Sequence, residues 1–233
     1  MNIHFILVKT ARGEHLGFAA RALKTMGFDR LRLVSSQVHD DPLAGKTAYG
    51  SHDILRKVGI YQTLDEAIAD LDLTIGTTSK QRIKRYDYHH PRELRSILAG
   101  KDPHLNNVGV VFGSEENGLT TEELQHCDLI SSIPLTAKYP SLNLSQAILI
   151  YAWELSGLAD SSPVRESPEV PLQRHLRDQA SKLLNSLELQ EKPLLKRRMM
   201  DRLMLADSQD MELILAFLAK LDRSMSNQSS KDP

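Results

Sequence analysis

The feature that most constrains this chain is an alternation: from Ile3 to about Gly157, short apolar, β-branched runs take turns with helical patterns. Such alternation predicts an α/β fold in which helices connect parallel strands and cover both faces of one sheet. The strands read as Ile3–Val8, Leu31–Ser35, Gly59–Gln62, Leu73–Gly76, Val108–Phe112 and Leu129–Ile133. Two helix starts pair a hydroxyl with a glutamate three residues on, Thr63 with Glu66 and Thr120 with Glu123, so each satisfies the other's orphan backbone amide. Pro91 suits a first helical turn. The run from Leu142 to Leu155 is apolar on nearly all sides, which places its helix in a core or at a subunit contact.

Three prolines and three serines between Gly157 and Pro171 read as a linker. The chain therefore divides into a main domain over 1–157, a linker over 158–171 and a small helical extension over 172–233. The last helix opens near Asp207 and Ser208 and sets Met211, Ile214, Leu215, Leu218 and Leu221 on one stripe, while the polar residues 224–233 are expected to fray. A single cysteine, Cys127, excludes an internal disulfide and a cysteine-rich zinc cage. His89-His90 lacks companions at metal-ligand spacing, so no metal is expected. No apolar run reaches the roughly 18 residues of a membrane span, and no leader pattern opens the chain. A cytoplasmic protein without a membrane partner is the expectation.

Net charge is −1, but its distribution is uneven. Between Lys80 and Arg95 six basic residues, among them Lys80, Arg82, Lys84 and Arg85, face two acidic ones, with Tyr86, Tyr88, His89 and His90 interleaved. Phosphates would be drawn to that charge, and the rings could stack bases. Lys9, Arg12 and His15 form a second candidate RNA-binding stretch, and Lys196-Arg197-Arg198 a weaker one. In an open parallel sheet, ligands bind beyond the carboxyl ends of the strands. That rule selects the loops Gly76–Ser79, Gly113–Leu119 and Pro134–Asn143, rich in glycine and hydroxyls. The GxGxxG fingerprint of a dinucleotide fold is missing.

Gly17-Phe18-Ala19-Ala20-Arg21-Ala22, then Gly113-x-Glu115-x-x-Gly118-Leu119, then Pro134 ahead of Ser141-Leu142-Asn143-Leu144, resembles the three ordered motifs of the SPOUT class of RNA methyltransferases. Within that class the chain is similar to the TrmH superfamily of ribose 2′-O-methyltransferases, and most to its TrmJ and LasT branch. The resemblance covers Ile3 to about Gly157. It implies a C-terminal trefoil knot in the main domain and S-adenosyl-L-methionine as cofactor, held by Thr77, Thr78, Ser79, Gly113, Ile133, Pro140, Ser141 and Leu142. It implies catalytic roles for Arg21, Glu115, Ser141 and Asn143, and a homodimer in which Arg21 serves the partner's site. The substrate implied is RNA, transfer RNA ahead of ribosomal RNA. Arginine is a donor only and a poor general base, so Arg21 is expected to hold a phosphate and stabilise developing alkoxide charge. His15 stands where the family pattern has asparagine. That departure leaves a silent RNA-binding protein as the second reading; a generic nucleotide binder is a third, which leaves the basic stretch unexplained.

Overall fold

The computed structural model describes residues 1–79, 87–101, 104–136, 142–159, 171–187 and 192–229. Seven strands, β1 (Asn2–Val8), β2 (Arg30–Val34), β3 (Gly59–Tyr61), β4 (Leu73–Thr77), β5 (Tyr88–His89), β6 (Asn107–Phe112) and β7 (Leu129–Ser131), form one sheet in the order β3-β2-β1-β6-β4-β7-β5. Every pairing is parallel. The first three strands march to one side of β1, whereas β6 pairs with its other side, so the topology reverses between β1 and β6.

Strand alternation sorts the core into two layers. Phe5, Leu7, Val108, Val110 and Phe112 point to one face, and Ile6, Val8 and Val111 to the other. The first face is covered by α1 (Gly13–Thr25), the short α2 (Pro42–Thr47) and α3 (His52–Arg56), α5 (Pro91–Ala99) and α7 (Leu144–Ala159). The second takes α4 (Leu64–Ile68) and α6 (Thr121–Gln125). Both expected capping boxes form, and Pro91 opens α5. Phe112 meets the ring of Tyr151 edge-on at 5.4 Å, and the Tyr151 hydroxyl donates to Ser131 Oγ, which donates to the His89 carbonyl. One buried relay thus fixes α7 under β6, β7 and β5.

Three expectations need correction. The strand expected through Ile133 ends at Ser131, because Ile133 turns out of the sheet ahead of Pro134, which has no amide to donate. The linker does not begin at Gly157: α7 continues to Ala159, since Leu158 is buried in the core and glycine at 157 lets the Arg95 guanidinium pack against the helix. The last helix does not end before 224 but runs through Ser229.

That helix, α10 (Ser208–Ser229), follows α8 (Leu172–Ser186) and α9 (Pro193–Met204). Leu176, Ala180, Leu183, Met204, Met211 and Leu218 join the same apolar cluster as the sheet, so the extension is docked on the main domain. Its polar contacts fall on residues that precede strands. Arg174 pairs with Asp72 at 3.4 Å, Arg177 with Asp128 at 3.5 Å and Arg202 with Asp87 at 3.0 Å. Arg197 donates to the carbonyls of Cys127 and Asp128 and meets Asp201 at 2.8 Å. Lys101, wholly buried, donates to Gln173 Oε1 and to the Ala206 carbonyl. The extension therefore sits at the amino edge of β4, β7 and β5, opposite the edge where parallel sheets bind ligands.

Candidate active site at the carboxyl edge of the sheet

Because β6, β4 and β7 are neighbours, the three loops selected from the sequence leave the sheet side by side. Thr77 Oγ1 donates to the Val111 carbonyl at 2.8 Å and the Thr78 amide to the Ser131 carbonyl at 3.0 Å, which levels the three strand ends. The Thr77 side chain is thereby committed to the sheet. Thr78 is half-buried and Ser79 exposed at the mouth, while Ile133 and Leu142 are half-buried. Pro140 and Ser141, expected at this site, lie outside the described residues, as do Lys80, Arg82, Lys84, Arg85 and Tyr86.

The loop after β6 is shaped by contact. A Cβ on Gly113 would lie 2.0 Å from the carbonyl carbon of Gly118 and 2.1 Å from Leu119 N, so only glycine lets the loop fold back on itself. The turn is closed by the Gly118 amide donating to the Ser114 carbonyl at 2.9 Å, with Gly118 at φ 66°. It presents Glu115 toward the β1–α1 loop, where Oε2 accepts from the Ala11 amide at 3.2 Å. Glu115 Oε1 is sealed from solvent with no hydrogen-bond partner. A buried acceptor left so costs on the order of 1–3 kcal/mol, which a donor on a bound ligand would recover. Beside it Lys9 pairs with Glu123 at 2.8 Å. Burial alone would raise the Glu123 carboxyl, but Lys9 and the Thr120 amide outweigh it and hold it below its ordinary value.

Arg21 is exposed on α1, between Gly17, which abuts Thr47 and Ala48, and Lys24, paired with Asp53 at 2.5 Å. A helix that returns from the end of a parallel strand runs away from the carboxyl edge. Eight residues past the start of α1, Arg21 is about 12 Å down the helix from that edge. His15 is buried, its Nδ1 3.2 Å from Ser145 Oγ. The imidazole thereby braces α1 against α7. Lys9 and Arg12 are exposed at the site edge. Phe18 on α1 and Leu149 and Trp153 on α7 are 44%, 41% and 65% exposed, so α7 buries one face in the core and leaves another, apolar face open.

Asn143 caps α7: its Oδ1 accepts from the Ser145 amide and hydroxyl, both at 2.9 Å, and its own amide donates to Gln146 Oε1. Tyr88 and His89 form the edge strand β5, with Tyr88 packed on the second core cluster, so neither is a free base-stacking platform. Arg197, read as a weak RNA candidate, is spent on docking α9. Cys127 is buried and its thiol is pushed up to about 12 by burial, which makes it inert. Among the described residues no group of three or more His, Cys, Asp or Glu side chains could hold a metal ion, and no helix is long and apolar enough to cross a membrane.

A doubly wound parallel sheet whose ligand loops gather at the ends of three adjacent strands places the chain among the α/β proteins that bind a small ligand at the carboxyl edge. More narrowly, the chain belongs to the SpoU rRNA methylase family, which it matches over residues 2–153. It is 37% identical over 226 residues to LasT of Escherichia coli K12, described as an uncharacterized tRNA/rRNA methyltransferase, covering 97% of this chain and 99% of that one. It is 37% identical over 175 residues to TrmJ of Yersinia pestis Pestoides F, a tRNA (cytidine/uridine-2′-O-)-methyltransferase, covering 73% of this chain and 68% of the other. The crystal structure of TrmJ from Z. mobilis ZM4 superimposes with a TM-score of 0.67 at 25% identity, covering 95% of this chain and all 100% of that one.

Proposed function

We propose that this protein transfers the methyl group of S-adenosyl-L-methionine to a ribose 2′-hydroxyl of RNA, with transfer RNA as the substrate class. The observation that carries the reading is that the loops after β4, β6 and β7 leave adjacent strands at one edge of the sheet, with a buried, unsatisfied carboxylate oxygen on Glu115 in the β6 loop. Family membership and the likeness to TrmJ support it. The donor set fits the cofactor, because a nucleoside offers the hydroxyl and amino donors that the orphan acceptor lacks and the loops offer main-chain groups. Thr78, Ser79, Gly113, Ile133 and Leu142 would hold it, with Thr77 through its main chain; Pro140 and Ser141 complete the set that the family pattern implies. Bound there, the cofactor supplies a methyl on a cationic sulfonium.

The chain's own work is positioning and charge. Glu115 locks the β6 loop to the β1–α1 loop and so fixes where the ribose enters. Asn143 spends its oxygen on the helix cap, which leaves its amide nitrogen to meet the substrate beside Ser141. Arg21 holds a backbone phosphate and stabilises negative charge building on the 2′-oxygen, while the proton leaves to phosphate or solvent. Since Arg21 lies about 12 Å below its own edge, it acts across a subunit boundary. The open stripe of Phe18, Leu149 and Trp153 is the surface that a second copy covers, giving a homodimer. The main domain closes in the trefoil knot of its family.

Mapping ribose methylation by mass spectrometry in RNA from cells with and without the gene identifies the product. With purified protein, Arg21→Ala is expected to lower methyl transfer at least 100-fold while S-adenosylhomocysteine binds as in wild type. Transfer at the wild-type rate would overturn the role of Arg21, and no change in any RNA would overturn the activity.

A further inference from the structure

A second recess opens at the same edge of the sheet, on the other side of Glu115. It lies over the ends of β1 and β2, has a volume of about 510 Å³, and is lined by Lys9, Thr10, Ser35, Ser36, Gln37 and Asp41 among others. The two strands lie in register, Val8 beside Val34, and each is followed by a residue in the left-handed region, Lys9 at φ 54° and Ser35 at φ 49°. Among the described residues these are the only non-glycine residues with positive φ. L residues enter that region at a cost, and such strain collects at ligand clamps. Thr10 carries an independent sign. It is 3% exposed, and its Oγ1 has no hydrogen-bond partner although its carbonyl accepts from Ser36 Oγ at 2.7 Å.

The chemistry of the lining selects the occupant. Lys9 is already paired with Glu123, and Asp41 already accepts from the Gly13 and Leu43 amides, so the recess offers no surplus positive charge for a phosphate. Ser35 Oγ already donates to the Gln62 carbonyl and Ser36 Oγ to the Thr10 carbonyl, so the recess offers the Thr10 hydroxyl, the acceptor lone pairs of the two serines and the exposed Gln37 amide, which suit the edge of a neutral base and its ribose. Two strand spacings, about 10 Å, separate its centre above β2 and β1 from the methyl-donor loops above β6 and β4. That distance is the reach of a neighbouring nucleotide, not of the methylated one.

We propose that this recess is a nucleotide subsite, which takes an unstacked base and ribose next to the methylated position of the RNA. The inference rests on the RNA methyltransferase reading and deepens it by placing sequence selection at Thr10 and Gln37. The test uses Thr10→Val and Gln37→Ala in the full-length protein, with the transfer-RNA pool of a gene-deleted strain as the RNA probe and S-adenosylhomocysteine as the cofactor probe. Each variant is expected to bind the RNA pool about fivefold to tenfold more weakly, with cofactor affinity unchanged. Thr10→Val should also unfold at or above the wild-type temperature, because it deletes an unsatisfied buried hydroxyl, an outcome that a structural role for the hydroxyl would reverse. Wild-type RNA affinity in both variants, or loss of cofactor binding together with thermal stability, overturns the subsite and leaves the activity standing. A wild-type protein that binds the cofactor probe but none of the RNA overturns the RNA reading and the subsite with it.

Discussion

Gly113→Ala sets steric space at the site against backbone freedom. The added methyl would sit 2.0 Å from Gly118 C, 2.1 Å from Leu119 N and 2.4 Å from Gly118 O. Relaxed contacts between heavy atoms need about 3.5 Å, so backbone must move by roughly 1.5 Å, and no flexible side-chain tip can absorb the shift. The movable part is the loop from Ser114 to Gly118, anchored beyond it by Leu119, which is 1% exposed in the second core cluster. Overpacking of this kind costs about 1–3 kcal/mol, and partly unseating Leu119 adds about 1 kcal/mol. A domain of this size should stay folded with a Tm lower by about 5–15 °C. The site should suffer more, because Glu115 rides on the loop and a misplacement of about 1 Å costs on the order of 100-fold in rate. Calorimetry with S-adenosylhomocysteine should show affinity weakened at least tenfold, and methyl transfer should fall about 100-fold. Gly118→Ala is the internal control. Nothing lies within 4 Å of its Cβ position, so it meets only the strain of φ 66°, about 1–2 kcal/mol, and should keep most of its cofactor affinity. If the two alanines behave alike, or if Gly113→Ala matches wild type in Tm and affinity, the packing argument fails.

Two further outcomes follow from other parts of the molecule. Trp153→Glu puts a charge on the open stripe of α1 and α7; size-exclusion chromatography with light scattering should show monomers and transfer should collapse with them, whereas an active monomer would refute catalysis across a subunit boundary. Asp201 is raised to about 6 by burial, which outweighs the attraction of Arg197, so the native state binds more protons than the unfolded chain from about pH 4 to about pH 6. Its ionised carboxyl therefore becomes a growing burden as pH rises through that window, and Asp201→Asn should gain stability relative to wild type between pH 4 and 6 and hold the gain above it. Urea titrations at pH 4.5 and 7.5 showing the same gap would refute the assignment.

What the sequence disclosed, and what it hid, follows from the range of the interactions involved. Strands buried on both faces must be apolar throughout, so β1, β4 and β6 were readable from composition alone. The hydroxyl–glutamate pairs at Thr63 and Thr120 act across three residues and announced their helices. Asn143 and Gln146 make a related cap at α7, Gln146 Oε1 taking the Asn143 amide while Asn143 Oδ1 takes the Ser145 amide, and the same spacing could have found it. β5 is two residues of an edge strand at the end of a basic run, too short and too polar to carry a period. Arg174, Arg177 and Arg197 look like the cations of a solvated helix face until the chain brings Asp72, Asp128 and the Cys127 and Asp128 carbonyls to them. At the site, the loop glycines and Glu115 were legible because a turn needs their local chemistry. Nothing local marks Lys9, Thr10 or Ser35, because neither lysine nor serine favours positive φ and an unsatisfied hydroxyl exists only once its surroundings have closed. The motif order likewise named Arg21 without saying where it could act. Only the antiparallel return of α1 beside β1 sets it about two turns down the helix from the carboxyl edge, and that depth is why the proposed chemistry calls for a second copy.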